Sequence, residues 1–277
     1  MTIRQALTYA RARLQEAGYS PQLAEAEARQ LLGWLVGEGV VLWKHINNNL
    51  TKTQLSELND ALKRRSSGEP LQLIIGTVEF FGLTLAVRPG VLIPRPETEF
   101  LVELALKQIE SVAAPRVLDI GVGNGAIALV IKYLRPDAEV FASDISPAAL
   151  ELARSNASAL GLEINFRNAS LAANLNSLDL IVSNPPYLPL VDKSTAPPEL
   201  EWEADSALYA GADGLAVTRP LISEAKSSLK NNGWLVLELD PRNVKTAANF
   251  AVEQGFISPT IHTDASGVPR FLCARRG

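Results

Sequence analysis

The chain has 277 residues, of which 47% are hydrophobic and 20% are charged, a composition typical of a globular protein that buries a core. Its net charge of −4 and isoelectric point near 5.4 argue against sequence-independent binding along a nucleic acid, because such binding relies on many contacts between Lys or Arg and phosphates. The single cysteine excludes an internal disulfide framework and a thiolate metal cluster, and no apolar run reaches the roughly 18 residues of a membrane span. We therefore expect a cytoplasmic protein with no membrane partner.

Residues 1–70 carry helix signals only. Two capping boxes and one Ser-Pro pair begin three helices: Thr2 with Gln5, Thr51 with Gln54, and Ser20 with Pro21. Gly37 is a plausible end of the second helix, and the third ends in Lys63-Arg64-Arg65, whose charge suits the negative end of a helix dipole. This pattern predicts a small helical bundle.

The rest of the chain predicts an α/β domain. Residues 71–93 are rich in β-branched and aromatic side chains, which indicates a pair of linking strands. Short apolar strands then alternate with helical patterns, which implies a mainly parallel sheet with helices on both faces. The predicted strands are 116–120, 139–143, 164–166, 178–183 and 234–239, the predicted helices are 126–134 and 147–160, and two more strands flank a turn at 264–267.

A glycine-rich turn follows the first of these strands, in "VLDIGVGNGAIAL", residues 117–129. Gly121, Gly123 and Gly125 let the backbone approach a ligand closely, and the helix that follows offers free N–H groups. The spacing differs from the dinucleotide pattern G-x-G-x-x-G because residue 126 is Ala. Asp119, just before the turn, can receive an ammonium group. A turn of this kind also occurs without a ligand.

Asp144 ends the next strand, where a carboxylate can accept hydrogen bonds from ribose hydroxyls. Its alternative role is to cap the helix that begins at Pro147, although Ser146 can supply that cap instead. The glycine turn and Asp144 together predict a nucleoside cofactor, and on these two motifs alone NAD remains possible.

The third motif is Asn184-Pro185-Pro186-Tyr187, at the carboxyl end of the strand 178–183. The Asn184 side-chain oxygen and the Pro185 carbonyl can accept both hydrogens of a planar –NH2 group, and Tyr187 can pack on the flat group that carries it. Holding both hydrogens aims the nitrogen lone pair at an electrophile, which we expect to be the methyl group of S-adenosylmethionine. The alternative is a rigid Asn-Pro turn with no chemical role.

Several segments resemble the HemK-type protein-(glutamine-N5) methyltransferases. "SNPPY" behind "DIGVGNGAIAL" is similar to amino-methyltransferases in general, and "VLIPRPETEFLVE", residues 91–103, resembles the more specific signature of this family. "RRSSGEPLQLIIGTVEFFGL" and "SALYAGADGL" are similar to further family segments. The resemblance implies a seven-stranded, Rossmann-like methyltransferase domain at 97–277, after a helical substrate-recognition domain at 1–70 and a β-hairpin linker at 71–96.

The resemblance also implies roles for individual residues. The residues implied to hold the cofactor are Gly121, Val122, Gly123, Asn124 and Gly125 at the methionine part, Asp144 at the ribose, Ser170 and Leu171 near the adenine, and Asn184. Asn184, Pro185, Pro186 and Tyr187 are implied to bind the substrate glutamine, with Asn184, Pro185 and Tyr187 as the catalytic residues. That glutamine would belong to the Gly-Gly-Gln motif of a peptide-chain release factor, which the N-terminal helices help to grip.

The chain departs from the family pattern at a few positions. Ser170 stands where relatives usually carry Asp, and Ala204 follows Glu203 where Pro is usual. Leu73 replaces a usual Tyr, and Glu238-Leu239-Asp240 with Asn243 replaces Glu-Ile-Gly with Gln. Arg95, Glu97 and Glu99 either begin a surface helix or shape the active-site entrance.

Other functions remain open at this stage. An adenine-N6 nucleic-acid methyltransferase shares Asn-Pro-Pro-Tyr, although the acidic chain shows no basic recognition domain and we expect no stable nucleic-acid binding. A ribosomal or other protein is an alternative substrate, and a non-catalytic cofactor-binding scaffold is a third possibility. We expect no metal site, because His45 and His262 lack ligand spacing, and we expect Cys273 to be part of the core.

Overall fold

The computed structural model describes residues 1–37, 45–172 and 174–277. These residues form two compact units, Met1–Thr77 with Pro197–Trp202, and Val78–Ala196 with Glu203–Gly277. The predicted N-terminal domain, residues 1–70, includes positions 38–44, which lie outside the described residues. The domain boundaries at 70 and 96 stay a prediction.

The first unit is helical, and its three longer described helices begin at the predicted signals. Its α-helices are α1 (Ile3–Glu16), α2 (Pro21–Val36), α3 (Lys52–Ser66) and α4 (Leu71–Ile75). Both capping boxes form, Ser20 caps α2, and Gly37 ends α2 in the left-handed conformation that glycine adopts freely. Helix α4 occupies positions where the sequence favoured a strand. Its apolar side chains Leu71 and Ile74 join the helical core, so burial overrides their β preference.

Arg65 has a role in this unit that the sequence did not reveal. The basic run does end α3 as predicted, but Arg65 is only 4% exposed. It donates to both carboxylate oxygens of Glu27, at 2.8 and 3.0 Å, and to Glu199 at 3.3 Å, and its guanidinium lies 4.0 Å from the centre of the Tyr19 ring. This cluster joins α2 and α3 to the segment 197–202, which makes that segment part of the helical unit.

The second unit begins with a hairpin and continues as an α/β sheet. The hairpin is β1 (Thr77–Phe80) with β2 (Leu83–Ala86). The helices that follow are α5 (Glu97–Gln108), α6 (Ala126–Leu134), α7 (Pro147–Leu160), α8 (Asp205–Leu208), α9 (Thr218–Ser228) and α10 (Val244–Glu253). The strands are β3 (Arg116–Ile120), β4 (Glu139–Asp144), β5 (Asn165–Asn168), β6 (Leu178–Ser183), β7 (Leu229–Glu238), β8 (Phe256–Thr263) and β9 (Pro269–Arg276).

In the described residues, β3 to β9 form a seven-stranded sheet in the order β5-β4-β3-β6-β7-β9-β8. Strands β3 to β7 are parallel, and β9 runs antiparallel between β7 and β8, as the predicted C-terminal hairpin requires. Strand β7 begins five residues before the predicted 234–239, with a register irregularity against β6. Alternate strand residues face two apolar layers, Val117 and Val182 on one side and Leu118 and Ile181 on the other.

The sheet order determines where a ligand can bind. From the central β3, the chain passes through α6 to β4 on one side, and β6 follows on the other side. The carboxyl ends of these strands meet at a topological switch point, which is where open α/β sheets bind their ligands. Asp144 at the end of β4 and Asn184 immediately after β6 are therefore brought to one edge.

Candidate active site

A cavity of about 340 Å³ opens at this edge, within the range of small-molecule sites. Nine of the predicted site residues line it: Gly121, Val122, Gly123, Asn124, Asp144, Ser170, Leu171, Asn184 and Pro186. The other predicted residues, Gly125, Pro185 and Tyr187, are not part of its lining, although each is adjacent in sequence to one that is. Residues to which the sequence assigned no binding role complete the wall, among them Val91, Thr98 and Val217.

The glycine turn is held by the neighbouring strand. The N–H groups of Gly121 and Val122 donate to the Ser143 carbonyl at 2.8 and 3.0 Å. Gly121 and Gly123 have φ angles of 75° and 56°, and a Cβ built at either meets no described atom within 4 Å. These glycines are therefore required for backbone conformation, and the space beside them belongs to the cavity.

Asp119 lies beneath this turn and is fully buried. Its Oδ2 accepts from the Ala128 N–H at 3.1 Å, whereas Oδ1 has no hydrogen-bond partner among the described residues. Burial raises the pKa of Asp119 to about 7, against the opposing effect of the Ala128 hydrogen bond. A buried carboxylate oxygen without a partner is suited to a cation supplied from outside the chain.

Asp144 does not cap α7, because Ser146 does so, accepting from the Ala149 N–H at 3.3 Å. Instead, the Asp144 carboxylate accepts from the Gly123 N–H at 3.0 Å and the Ser146 N–H at 2.8 Å. Each carboxylate oxygen keeps lone pairs for further donors. The half-buried side chain therefore braces the glycine turn and still presents acceptors to the cavity.

Ser170 and Leu171 line the cavity after β5. Leu171 has a φ of 51°, an unusual conformation for a non-glycine residue, and its carbonyl accepts from the Ser143 hydroxyl at 2.7 Å. The exposed Ser170 offers a neutral hydroxyl to the cavity.

Asn184 is half-buried at the cavity, and its amide nitrogen donates to the Thr98 hydroxyl at 3.3 Å. Thr98 also lies beside the carboxyl group of Glu238, a residue that is only 2% exposed. Burial raises the pKa of Glu238 to about 7, opposed by the Thr98 hydroxyl and by the charge of Arg270. The sequence motifs gave no role to Thr98 or Glu238. In the sequence, Glu238 could have been noticed as an acidic residue at the end of an apolar strand.

The backbone after Asn184 is supported by a second loop. Asn243 donates to the Tyr187 carbonyl at 3.4 Å and to the Asp213 carbonyl at 2.9 Å. A Cβ at Gly214 would lie 2.1 Å from the Tyr187 carbonyl oxygen. Burial raises the pKa of the Tyr187 phenol further above its ordinary value, and the charge of Glu238 adds to this shift, so the ring is neutral. Asn243 and Gly214, which are distant in sequence, therefore support the backbone of the loop at Tyr187.

The charged residues before and within α5 have separate partners. Arg95 donates to Glu203 at 2.6 Å, and Glu99 accepts from the Phe81 N–H at 2.7 Å, whereas Glu97 is exposed. The Arg95–Glu203 pair joins two walls of the cavity, since Pro94 and Ala204 both line it. A role for Arg95 in shaping the entrance stays a prediction.

The described residues contain neither a cluster of metal ligands nor a membrane-spanning helix. No group of three or more His, Cys, Asp or Glu side chains in them is arranged to hold a metal ion. Within the same ranges, no helix is both long and apolar enough to cross a membrane.

Two family profiles match the sequence. The "Methyltransferase small domain" covers residues 95–201, and the "PrmC N-terminal domain" covers residues 5–76. A release factor glutamine methyltransferase from Deinococcus radiodurans is 45% identical over 279 residues, which span 100% of this chain and 99% of that protein. The chain belongs to the release factor glutamine methyltransferase family. The predicted family is therefore confirmed, and the chain is a methyltransferase.

Other members of the family and several solved structures are also similar. The Geobacter sulfurreducens release factor glutamine methyltransferase is 38% identical over 280 residues, covering 100% of this chain and 97% of that one. The hMettl16 catalytic domain, solved with an RNA hairpin, has a TM-score of 0.59 at 15% identity and covers 82% of this chain and 83% of that one. A Thermus thermophilus 16S rRNA methyltransferase, solved with AdoMet and guanosine, has a TM-score of 0.56 at 20% identity, with 73% and 50% coverage. These structures confirm the predicted methyltransferase fold.

Proposed function

We propose that this protein transfers a methyl group from S-adenosylmethionine to the side-chain amide nitrogen of the glutamine in the Gly-Gly-Gln motif of a peptide-chain release factor. The observation that carries this proposal is the Asn184-Pro185-Pro186-Tyr187 loop, which borders the same cavity as the glycine turn and Asp144. The full-length similarity to release factor glutamine methyltransferases supports a protein amide as the acceptor.

The residues present fit the cofactor. The unpartnered Oδ1 of Asp119 supports binding of an ammonium group, and the open space beside Gly121 and Gly123 leaves room for a ligand against the turn. The spare lone pairs of Asp144 suit ribose hydroxyls. When bound, S-adenosylmethionine supplies an electrophilic methyl group on its sulfonium sulfur.

The loop residues orient the amide that receives the methyl group. The Asn184 side-chain oxygen and the Pro185 carbonyl accept the two hydrogens of the substrate –NH2, which weakens conjugation of the nitrogen lone pair with its own carbonyl. Orientation of this kind can supply several kcal/mol of a barrier, about 7 or more in the best-aligned cases. The methylated nitrogen loses a proton to water, so transfer requires no general base from the protein.

The loop alone does not exclude a nucleic-acid base, because an exocyclic amine presents the same two hydrogens. Net charge favours the protein substrate, since a chain of net charge −4 attracts nucleic-acid phosphates less than a basic chain would.

The test is methyl transfer from labelled S-adenosylmethionine to a purified bacterial release factor, to DNA and to RNA. We expect label on the Gly-Gly-Gln glutamine, and its loss when that glutamine is replaced. Asn184→Ala should abolish transfer while cofactor binding stays measurable, whereas Asn165→Ala, an exposed asparagine outside this cavity, should behave as wild type. Label on nucleic acid alone would exclude the proposed substrate.

A further inference from the structure

Thr98 lies between two residues at the ends of adjacent strands. In the parallel pair β6 and β7, Ser183 pairs with Leu237, so Asn184 and Glu238 are the next residues along each strand. Thr98 is in the first turn of α5 and is only 3% exposed. Its hydroxyl accepts from Asn184 and lies beside the Glu238 carboxyl group, whose pKa it lowers, so one hydroxyl group of α5 adjoins the ends of both β6 and β7.

The chemistry of these three groups fixes the direction of each hydrogen bond. An ionised carboxylate only accepts, so the hydroxyl hydrogen of Thr98 points to Glu238. The Thr98 oxygen is then left as an acceptor toward Asn184, and it receives the Asn184 amide nitrogen at 3.3 Å. The amide oxygen of Asn184 consequently lies on the other side of the amide group.

We propose that Thr98 and Glu238 are positioning residues that set the polarity of the Asn184 amide, so that its oxygen faces the substrate –NH2 group. This inference rests on the proposed function. An asparagine side chain presents an acceptor in one orientation and two donors in the other, and the two ends have nearly the same shape. Packing alone cannot select between them, whereas a hydroxyl constrained by a carboxylate can.

The surroundings of Glu238 support a role beyond stability. Its second oxygen, Oε2, is buried and has no hydrogen-bond partner in the part of the chain that the structure describes. Arg270 and Arg95 act on it only through their charge, because Arg270 pairs with Asp264 and Arg95 pairs with Glu203. A carboxylate buried in this way costs stability, so a residue retained for stability alone would be better replaced by an apolar one.

The first experiment removes the hydroxyl and keeps its shape. At pH 8, where Glu238 is ionised, we expect Thr98→Val to lower kcat/KM for release factor methylation by about tenfold, and Thr98→Ser to stay within about threefold of wild type. The matched control is Thr218→Val, because Thr218 is fully buried and its hydroxyl has no partner among the described residues. That control should turn over as wild type does.

The second experiment removes the carboxylate. Glu238→Met preserves most of the side-chain volume and removes a buried charge, so we expect a higher melting temperature at pH 8 together with a kcat/KM about tenfold lower. A residue with only a structural role cannot produce this combination. Crystal structures of the Thr98→Val and wild-type proteins with bound glutamine substrate should show the Asn184 nitrogen released from position 98 in the variant.

The outcomes separate the two proposals. If wild type methylates the release factor but Thr98→Val and Thr218→Val are equally active, Thr98 does not position Asn184 and this inference is overturned. It is overturned equally if Thr98→Ser fails to restore activity in a folded protein. If wild type transfers no methyl group to glutamine at all, the proposed function itself fails.

Discussion

At the residue scale, Asp119 shows how one buried atom can indicate a ligand. Its carboxylate is fully buried beneath the glycine turn, one oxygen has no partner among the described residues, and burial raises its pKa to about 7. A folded-state pKa above the unfolded value of 3.8 means that the native protein binds the proton more tightly. The stability that Asp119 contributes is therefore complete below pH 3.8 and is lost as the pH rises toward 7.

This shift predicts opposite effects of Asp119→Asn on stability and on cofactor binding. At pH 8 we expect the variant without cofactor to be more stable than wild type by about 2 kcal/mol, because a buried charge is removed while the new amide hydrogens lack a partner. The gain should disappear as the pH falls below 7. Loss of the charge should weaken S-adenosylmethionine binding by about tenfold or more. Urea unfolding at several pH values and titration calorimetry measure the two effects.

The control for Asp119→Asn is Asp137→Asn. Asp137 is exposed, and the hydrogen bond from Arg135 lowers its pKa, so its stability effect has the opposite sign. This variant should lose some stability at pH 8 and bind cofactor as wild type does. An unchanged cofactor affinity in Asp119→Asn would contradict the ammonium role.

At the element scale, the backbone of the Asn184–Tyr187 loop depends on a neighbouring loop that contains Gly214. Gly214 has a φ of 75° and approaches the Tyr187 carbonyl so closely that a Cβ would lie 2.1 Å from its oxygen. The backbone itself must move to relieve such a contact, because neither atom is the end of a flexible side chain. Asn243 bonds both loops, through the carbonyls of Tyr187 and Asp213.

We therefore expect Gly214→Ala to reduce methyl transfer by about 100-fold, since a displacement of about 1 Å at a reacting group can cost that much. Gly267→Ala is the matched control. Its φ is 80°, but no described atom lies within 4 Å of the added Cβ. It should cost about 1 kcal/mol of stability from backbone strain and leave turnover unchanged. Equal turnover in the two variants would show that Gly214 does not hold the loop.

At the scale of the whole molecule, the described residues that line the cavity lie between positions 90 and 220 and outside the first unit. The first unit has its own apolar core, formed by residues such as Leu14, Leu31 and Leu58, and its own buried ion pair, Arg65 with Glu27. The division supports a separation of roles, with cofactor binding in the sheet and substrate recognition in the helices. That separation is a proposal about function, and it is testable by truncation.

A chain truncated to residues 78–277 should bind S-adenosylmethionine within about threefold of the full chain, a change of less than 1 kcal/mol. Methylation of a folded release factor should fall much further, because the helices proposed to grip it are missing. Circular dichroism and thermal unfolding of the truncated chain provide the control for folding. Loss of cofactor binding in a truncated chain that remains folded would contradict the proposed separation.

The sequence by itself determined the features whose causes are local. The capping boxes at Thr2 and Thr51 began their helices where predicted, and the strands at 116–120 and 178–183 have the predicted bounds. A capping residue binds the free N–H groups of a helix end, and consecutive apolar residues define a buried strand. A short stretch of sequence therefore contains all the residues that determine these boundaries. The glycine turn, Asp144 and the Asn-Pro-Pro-Tyr loop could be found for the same reason, since each follows directly on a strand end.

Only the tertiary structure decided which distant groups act on these motifs. Thr98 and Glu238 are 86 and 54 positions from Asn184 and meet it because α5 and β7 adjoin β6. Arg65 had the local pattern of an exposed helix end, and its burial depends on Glu27 and Glu199. The direction of a side-chain amide and the partner of a buried charge depend on groups that folding brings together, and no local stretch of sequence specifies them.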